Sequence, residues 1–237
     1  MISDQILYED NHLMAINKLP GQIVQGDKTG DKCLADEIKD FLKQRDGKMG
    51  NVFCGVIHRL DRPVSGVVLF AKTSKALSRM NDMVKNHELH KTYWAICRNR
   101  PPEPAGRLED YLVRNEKLNK SFVVDSDGGR MRNAARQDAK LAVLDYRLIG
   151  MSRGGYCLLE VDLHTGRHHQ IRCQLSHLGC AIKGDLKYGA PRSNSDGSIS
   201  LHAHEVSFIH PVKKTEVRIV APWDCDNMEF VSVPDVG

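Results

Sequence analysis

Strand-like and helix-like segments are interspersed along this chain without the regular strand–helix–strand order that builds a parallel sheet. Apolar patterns typical of strands occupy residues 6–16, 66–71, 92–97, 141–146, 157–163 and 217–220. Apolar residues at helical spacing occur at Leu34, Ile38, Phe41 and Leu42, at Leu77, Met80 and Val84, and at Ile171, Leu175 and Leu178. This order predicts an α+β fold with a mixed, mainly antiparallel sheet that is flanked by helices.

Local signals mark where the helices begin and end. Asp31 precedes the first helical pattern and Ser74 the second, so each is a predicted N-cap, while Gly179 ends the third. Residues 18–21 carry a turn signal, and residues 211–215 are a predicted hairpin loop.

Positive charge is concentrated in residues 112–153, which hold nine Lys or Arg against five Asp or Glu. This segment contains a predicted loop at 125–129, followed by Arg130, Arg132 and Arg136. Such a charge run is usually a solvated surface, and the alternative is an arm that contacts phosphate groups. The net charge of +4 over 237 residues permits a nucleic-acid partner without requiring one.

Cysteine usage and the N-terminal sequence indicate the compartment. The seven cysteines are an odd number and include no CxxC pair, which is unlike a secreted disulfide framework. The first ten residues are acidic where a signal peptide is basic and apolar, and the longest apolar run, 67–71, is too short to span a membrane. We therefore expect a reduced, cytoplasmic protein with no membrane partner.

The first candidate for chemistry is the segment His-Arg-Leu-Asp-Arg-Pro-Val-Ser-Gly at 58–66, just before a predicted buried strand. Asp61 lies between Arg59 and Arg62, and nearby positive charge lowers the pKa of a carboxyl group. An ionised carboxylate at the edge of a rigid strand is suited to act as a nucleophile or base. A structural aspartate in a surface ion pair is the alternative, and spacing alone does not decide between them.

The second candidate is Thr-Gly-Arg-His-His-Gln-Ile-Arg at 165–172, where Gly166 opens a helix. The N–H groups of a helix start point outward and favour anions, although a solvated basic first turn is the simpler interpretation. Ile171 is predicted to face the core, so the next residue, Arg172, points elsewhere and is available to a ligand or a carboxylate.

The histidines and cysteines of the chain raise the alternative of a metal site. His169, Cys173 and His177 follow at four-residue steps, with Cys180, His202 and His204 as further possible ligands, so zinc is an alternative. Ordinary buried cysteines and histidines are favoured over it, because no CxxC or HExxH motif is present. The motifs GxGxxG, GxxxxGK[ST] and GxSxG are also absent, so we expect chemistry from side chains without a metal or cofactor.

Several ordered blocks together resemble the RluA-type RNA pseudouridine synthases. The segment 58–61, followed by Ser-Gly at 65–66 and Ala-Lys at 71–72, is similar to the family signature. The other blocks are 8–10 with 17–21, 91–95, 166–172, 178–189 and, at the C-terminal end, 201–203 with 208–211. The resemblance covers residues 6–222, and agreement of several blocks in order is far more specific than one motif.

The resemblance implies an enzyme that isomerises selected uridines to pseudouridine in structured ribosomal or transfer RNA, after flipping the base out of its stack. It implies that Asp61 attacks the target nucleotide, on the base or on the sugar, in a cleft across the sheet. Tyr93 would pack on the flipped base and remove the C5 proton, Arg172 would pair with the aspartate, and Arg59 would fill the gap in the RNA. The same blocks make His58, Arg167 and Ile171 further candidates for substrate binding.

The chain departs from the family pattern at a few positions. His168 replaces a usual Ser or Thr, Cys173 and Gln174 replace Val-His, and Pro63-Val64 is a variant stretch. These changes affect none of the four implied functional residues. We expect one catalytic domain over residues 1–237, without the N-terminal S4-like domain of many relatives, acting as a monomer on RNA and not on DNA. A non-catalytic RNA-binding or chaperone-like relative is the alternative function.

Overall fold

The computed structural model describes residues 1–26, 30–124 and 138–233. Its contacts divide the chain into two compact units, Met1–Lys91 with His202–Trp223, and Thr92–Leu201 with Asp224–Gly237. The α-helices of the described residues are α1 (Leu34–Arg45), α2 (Ser74–Lys85) and α3 (Gln170–His177). The strands are β1 (Ile6–Glu9), β2 (Leu13–Lys18), β3 (Gly55–Val56), β4 (Ser65–Ala71), β5 (His90–Cys97), β6 (Ala105–Asn115), β7 (Lys120–Val124), β8 (Lys140–Ser152), β9 (Cys157–Leu163), β10 (Leu201–Ile209), β11 (Glu216–Val220) and β12 (Phe230–Ser232).

The first unit has the strand order β1-β2-β4-β10-β11, with β3 also paired to β4. Strands β2 and β4 run antiparallel, with Leu13 opposite Ala71 and Lys18 opposite Gly66. Strands β4 and β10 are parallel, which makes the arrangement mixed.

Strand β4 is buried on both faces, which explains its continuous apolar sequence. Val67 and Leu69 pack in one cluster with Met80 of α2. Val68 and Phe70 point to the opposite face, into a cluster with Ile38 of α1. Because successive strand residues alternate between faces, each residue from Gly66 to Ala71 needs an apolar side chain or none.

Gly66 stands where β4 begins, directly after the segment that carries Asp61. Its φ of +111° lies in a region that side-chain-bearing residues rarely adopt. A Cβ at this position would collide with the backbone of Ala203 on β10. The close approach of the two parallel strands therefore requires glycine here.

The second unit has the strand order β5-β9-β8-β6-β7, and β12 pairs with β8. All of these pairs are antiparallel. Helix α3 packs on this arrangement through Cys173, which lies in a buried cluster with Leu112, Ala142 and Tyr188.

The predicted α+β class with a mixed, mainly antiparallel sheet is confirmed. The predicted helices and strands are present, and the loop at 211–215 joins β10 to β11 as expected. The segment 6–16 is two strands rather than one, because the Asp10 carboxylate accepts the backbone N–H groups of His12 and Leu13 and turns the chain. No helix within the described part of the chain is long and apolar enough to cross a membrane.

Both predicted N-caps were wrong. Helix α1 is capped at Cys33 rather than Asp31, and Thr73 rather than Ser74 caps α2, with its hydroxyl oxygen accepting the N–H of Ala76 at 3.2 Å. The predicted loop at 125–129 and the arginines Arg130, Arg132 and Arg136 lie outside the described residues.

Candidate active site

Asp61 lies in the turn that leads from β3 into β4. Its carbonyl oxygen accepts the N–H of Val64 at 3.0 Å, which closes the turn, and its side chain is half-buried. Arg59 is exposed. Arg62, which flanks Asp61 in the sequence, forms an ion pair with Asp31 at 3.0 Å.

Lys18 is a residue of this turn that the sequence did not identify as functional. Its side chain is 0% exposed, and its Nζ donates to the carbonyl oxygens of Leu19 at 3.1 Å, Arg62 at 3.0 Å and Val64 at 2.5 Å. The N–H of Gly21 also donates to the Arg62 carbonyl, at 2.8 Å. Two residues of the Asp61 turn, Arg62 and Val64, are therefore tied to the end of β2 and the residues that follow it.

The buried ammonium group of Lys18 has an unusual titration. Burial lowers its pKa to about 7, the negative charge of Asp61 opposes that effect, and the positive charge of Arg62 adds to it. Three carbonyl acceptors match the three N–H donors of an ammonium group, which explains how the structure accommodates the charge.

We predict that this titration makes stability rise with pH. Between pH 7 and 10.5 the unfolded chain binds a proton at Lys18 that the folded chain has lost, so raising the pH favours the folded state. From pH 7.5 to 9 the free energy of unfolding of the wild type should gain about 2 kcal/mol relative to Lys18→Met. Urea unfolding of both proteins at the two pH values measures this difference.

Lys75→Met is the matched control, because Lys75 is an exposed lysine on α2. Its unfolding free energy should keep a constant difference from the wild type across the same pH range. A constant difference for Lys18→Met as well would show that Lys18 titrates normally in the folded protein.

His58 supports the backbone of β4. Its Nε2 accepts the N–H of Leu69 at 3.2 Å, so this ring nitrogen carries no proton. Burial, with a smaller contribution from the positive charge of Lys91, lowers the pKa of His58 to about 3. The ring is therefore neutral at physiological pH, and its contact holds the loop of Asp61 against the strand.

Tyr93 lies on β5, directly opposite Val161 of β9. It is 7% exposed, so most of its surface is out of contact with water. A strand position of this kind fixes the ring more firmly than a loop would.

Arg172 has a carboxylate partner that the sequence did not reveal. Its Nε and one terminal nitrogen donate to the two carboxylate oxygens of Asp185 at 2.7 and 2.9 Å. Arg172 is 6% exposed and Asp185 is 1% exposed, and the guanidinium lies 5.2 Å from the ring centre of Tyr188. The arginine is thus held in one orientation by a bidentate ion pair, and its implied pairing with Asp61 stays a prediction.

The turn before α3 is fixed by Gln170. Its Oε1 accepts the N–H of Arg167 at 3.0 Å and the hydroxyl of Thr165 at 2.8 Å, while its Nε2 donates to the carbonyl of Val143 at 3.1 Å. Arg167 is exposed and donates through Nε to the carbonyl of Leu141 at 2.8 Å. Ile171 is 5% exposed and faces the core, as predicted.

Two departures from the family pattern, Cys173 and Gln174, are hydrogen-bonded within the second unit. The Cys173 thiol donates to the carbonyl of Ser121 at 3.3 Å. Gln174 donates to the carboxylate of Asp110 at 2.7 Å and to the carbonyl of Ala142 at 3.3 Å. The Cys173 thiol and the Gln174 Nε2 therefore have partners within the unit, whereas Gln174 Oε1 is buried without a hydrogen bond to the described residues.

The predicted site residues thus fall into two groups. His58, Arg59 and Asp61 share one segment of the first unit, and Lys18 and the N–H of Leu69 hold it. Tyr93, Arg167, Ile171 and Arg172 belong to the second unit, where Asp185 fixes Arg172. Across residues 1–26, 30–124 and 138–233, no group of three or more His, Cys, Asp or Glu side chains is placed to hold a metal ion, so the zinc alternative has no site there.

Comparison with known sequences gives consistent matches. Residues 12–177 match the family described as RNA pseudouridylate synthase. The chain is 32% identical over 229 residues to tRNA pseudouridine synthase C of Vibrio cholerae, covering 93% of this chain and 91% of that protein. It is 33% identical over 232 residues to ribosomal large subunit pseudouridine synthase D of Xylella fastidiosa, covering 92% of this chain and 65% of that protein.

Comparison with solved structures agrees with the fold. Human RNA pseudouridylate synthase domain containing 4 superposes with a TM-score of 0.78 at 25% identity, covering 96% of this chain and 95% of that one. Human RNA pseudouridylate synthase domain containing 1 superposes with a TM-score of 0.72 at 20% identity, covering 98% and 90%.

Proposed function

The chain belongs to the RNA pseudouridylate synthase family and is an RNA pseudouridine synthase, and on that premise we propose that Asp61 is its catalytic carboxylate. The observation that carries this proposal is the support of the Asp61 turn. A fully buried lysine binds the backbone carbonyls of Arg62 and Val64, which follow Asp61 in the turn, and His58 holds the strand that comes after it. A reactive group needs such a rigid setting to meet its target in one orientation.

The reaction converts uridine into an isomer, so it needs no redox partner and no phosphate donor. Asp61 attacks the flipped nucleotide and the bond from the ribose C1′ to N1 of uracil breaks. The uracil turns, a bond forms from C1′ to C5, and the bond that Asp61 made to the nucleotide breaks, which regenerates the carboxylate. The proton on C5 leaves while N1 gains one. Base extrusion costs about a few kcal/mol, which contacts with the protein must offset.

We assign the remaining roles as follows. Tyr93 packs on the flipped base and its hydroxyl oxygen takes the C5 proton. Arg172, oriented by Asp185, provides positive charge for the catalytic carboxylate. Arg59 is exposed and fills the space that the base vacates. His58, Arg167 and Ile171 complete the surroundings of the substrate.

We further propose that the substrate is a structured transfer RNA or ribosomal RNA, since relatives named for both match most of this chain. The test is release of tritium from RNA labelled at uridine C5. The RNA is prepared from the source organism with this gene deleted, and its transfer and ribosomal fractions are assayed separately. Release from one fraction identifies the class of target. Release from neither fraction by a folded protein that still binds RNA contradicts both assignments.

The role of Tyr93 gives a specific kinetic prediction. Tyr93→Phe keeps the ring that packs on the base but removes the oxygen that takes the proton. We expect kcat to fall about a hundredfold, with KM changed by less than about threefold because the stacking surface remains. Steady-state tritium release gives both parameters.

Tyr93→Leu is the comparison variant, because it removes the ring as well and should raise KM as well as lower kcat. Equal activity of Tyr93→Phe and the wild type would exclude the hydroxyl group from proton transfer and leave Tyr93 as a packing residue.

We also propose that residues 1–237 act as one catalytic domain, as a monomer and in the cytoplasm. Light scattering of the purified protein gives the oligomeric state, and cell fractionation with an antibody gives the compartment. Limited proteolysis that released two separately stable units would contradict the single domain.

A further inference from the structure

Three segments of the second unit meet at Asn119, in the turn between β6 and β7. From their charges and contacts we propose that they form a second binding surface for the phosphate backbone of the RNA. We call it the Asn119 surface and define it by Lys117, Asn119, Arg167, His168 and Lys187. This inference rests on the proposed function, because it takes RNA as the substrate.

Hydrogen bonds fix the geometry of the Asn119 surface. The carbonyl oxygen of Asn119 accepts Lys187 Nζ at 3.0 Å, and its side-chain oxygen lies 3.1 Å from His168 Nε2. The next contact is Ser121, whose hydroxyl oxygen lies 2.9 Å from His168 Nδ1 and donates to the His168 carbonyl at 2.6 Å. The hairpin turn, the start of α3 and the segment Leu186–Tyr188 are thereby joined.

The ring of His168 lies between two oxygen atoms of the hairpin. The Ser121 hydroxyl gives its proton to the His168 carbonyl, so its oxygen is left to accept a proton from Nδ1. The amide oxygen of Asn119 is likewise an acceptor, and it faces Nε2. Each ring nitrogen of His168 thus faces an oxygen atom, which holds the ring in place at the surface.

The charge of the surface is not neutralised locally. Lys117, Arg167 and Lys187 have no carboxylate within ion-pair distance in the part of the chain that the structure describes. Elsewhere many arginines are paired, as Arg45 is with Glu9 and Arg218 with Glu205. A polyanion binds such cations, here Lys117, Arg167 and Lys187, by displacing its condensed counterions.

Position within the unit favours RNA as the polyanion. His168 precedes Arg172 by four residues, and Arg172 is a residue of helix α3. The N–H groups at the start of a helix add partial positive charge to that of Arg167. The start of α3 is therefore a positively charged end at which the phosphate groups of RNA are favoured.

The test is RNA affinity as a function of salt. All proteins carry Asp61→Asn so that no turnover occurs, and the probes are bulk transfer RNA and bulk ribosomal RNA from the deletion strain. The variant Lys117→Ala/Lys187→Ala is compared with Lys75→Ala/Lys85→Ala, which removes two exposed lysines of α2 and the same net charge. Fluorescence anisotropy measures Kd between about 50 and 200 mM NaCl.

We expect Lys117→Ala/Lys187→Ala to weaken binding about tenfold at the low end of this range and to reduce the slope of log Kd against log salt by about 2. The control variant should keep both within experimental error. An equal loss of RNA affinity in the two variants, or no loss in either, would contradict the proposal that the Asn119 surface binds RNA.

The failure of this inference is distinguishable from failure of the proposed function. Turnover by the wild type with unchanged binding by Lys117→Ala/Lys187→Ala would reject the surface and leave the function standing. Loss of RNA binding in that variant, without any turnover by the wild type, would support the surface and reject the function. Thermal unfolding of each variant confirms that it is folded.

Discussion

Asp61→Asn is expected to lower turnover by at least about 10⁴-fold, because asparagine has the shape of aspartate but no charge with which to attack. Folding should be retained, since the turn is held by backbone contacts of Lys18 and Val64 that the substitution leaves in place. RNA affinity should change by less than about threefold. Binding is spread over many contacts to phosphate groups, so a change at one side chain alters little of it. Tritium release under single-turnover conditions measures the chemical step directly.

Asp36→Asn is the matched control for this experiment. Asp36 lies in the first turn of α1 and pairs with Lys39 at the surface, so the same change of charge is made away from the turn of Asp61. Its turnover should equal that of the wild type. Near-normal turnover by Asp61→Asn would remove Asp61 from the reaction and return it to the structural ion-pair interpretation.

The sequence predicted best where a local pattern has one physical cause. Strand β4 was identified because burial on both faces leaves an uninterrupted apolar run from Gly66 to Ala71. The sequence did not predict the hairpin of β6 and β7. The first seven positions of β6 alternate between exposed and half-buried and include few apolar residues, so the apolar pattern of a strand is weak there. The predicted cap was two residues too early for α1 and one residue too late for α2. Asp31 and Ser74 are of the types that favour cap positions, but Cys33 and Thr73 occupy those positions.

The parts of the site that the sequence did not reveal depend on contacts between distant residues. Lys18 and Val64 are 46 positions apart, and a lysine in a polar turn signal gives no indication that its side chain is fully buried. Arg172 and Asp185 are 13 positions apart, on different segments. The family resemblance shows that such residues belong to shared sequence blocks. Only the fold shows which atoms their side chains contact.

Asp185→Asn is expected to lower the free energy of unfolding by about 3 kcal/mol, because it leaves the guanidinium of Arg172 buried without its counter-charge. The bidentate pair, at 2.7 and 2.9 Å, lies almost entirely out of contact with water. Glu205→Ala is the control, since it breaks a bidentate pair with Arg218 at the surface and should cost less than about 1 kcal/mol. Urea unfolding followed by circular dichroism gives both values.

A double variant separates the stability of this pair from its role in the reaction. Arg172→Met/Asp185→Leu removes both charges together, so it should be more stable than Asp185→Asn alone, since no buried charge remains uncompensated. Its turnover should nevertheless stay low, because the positive charge that we assign to the catalytic carboxylate is gone. Recovery of stability together with turnover would show that Arg172 only fills space. Loss of stability beyond that of Asp185→Asn would show that the charged pair itself stabilises the second unit.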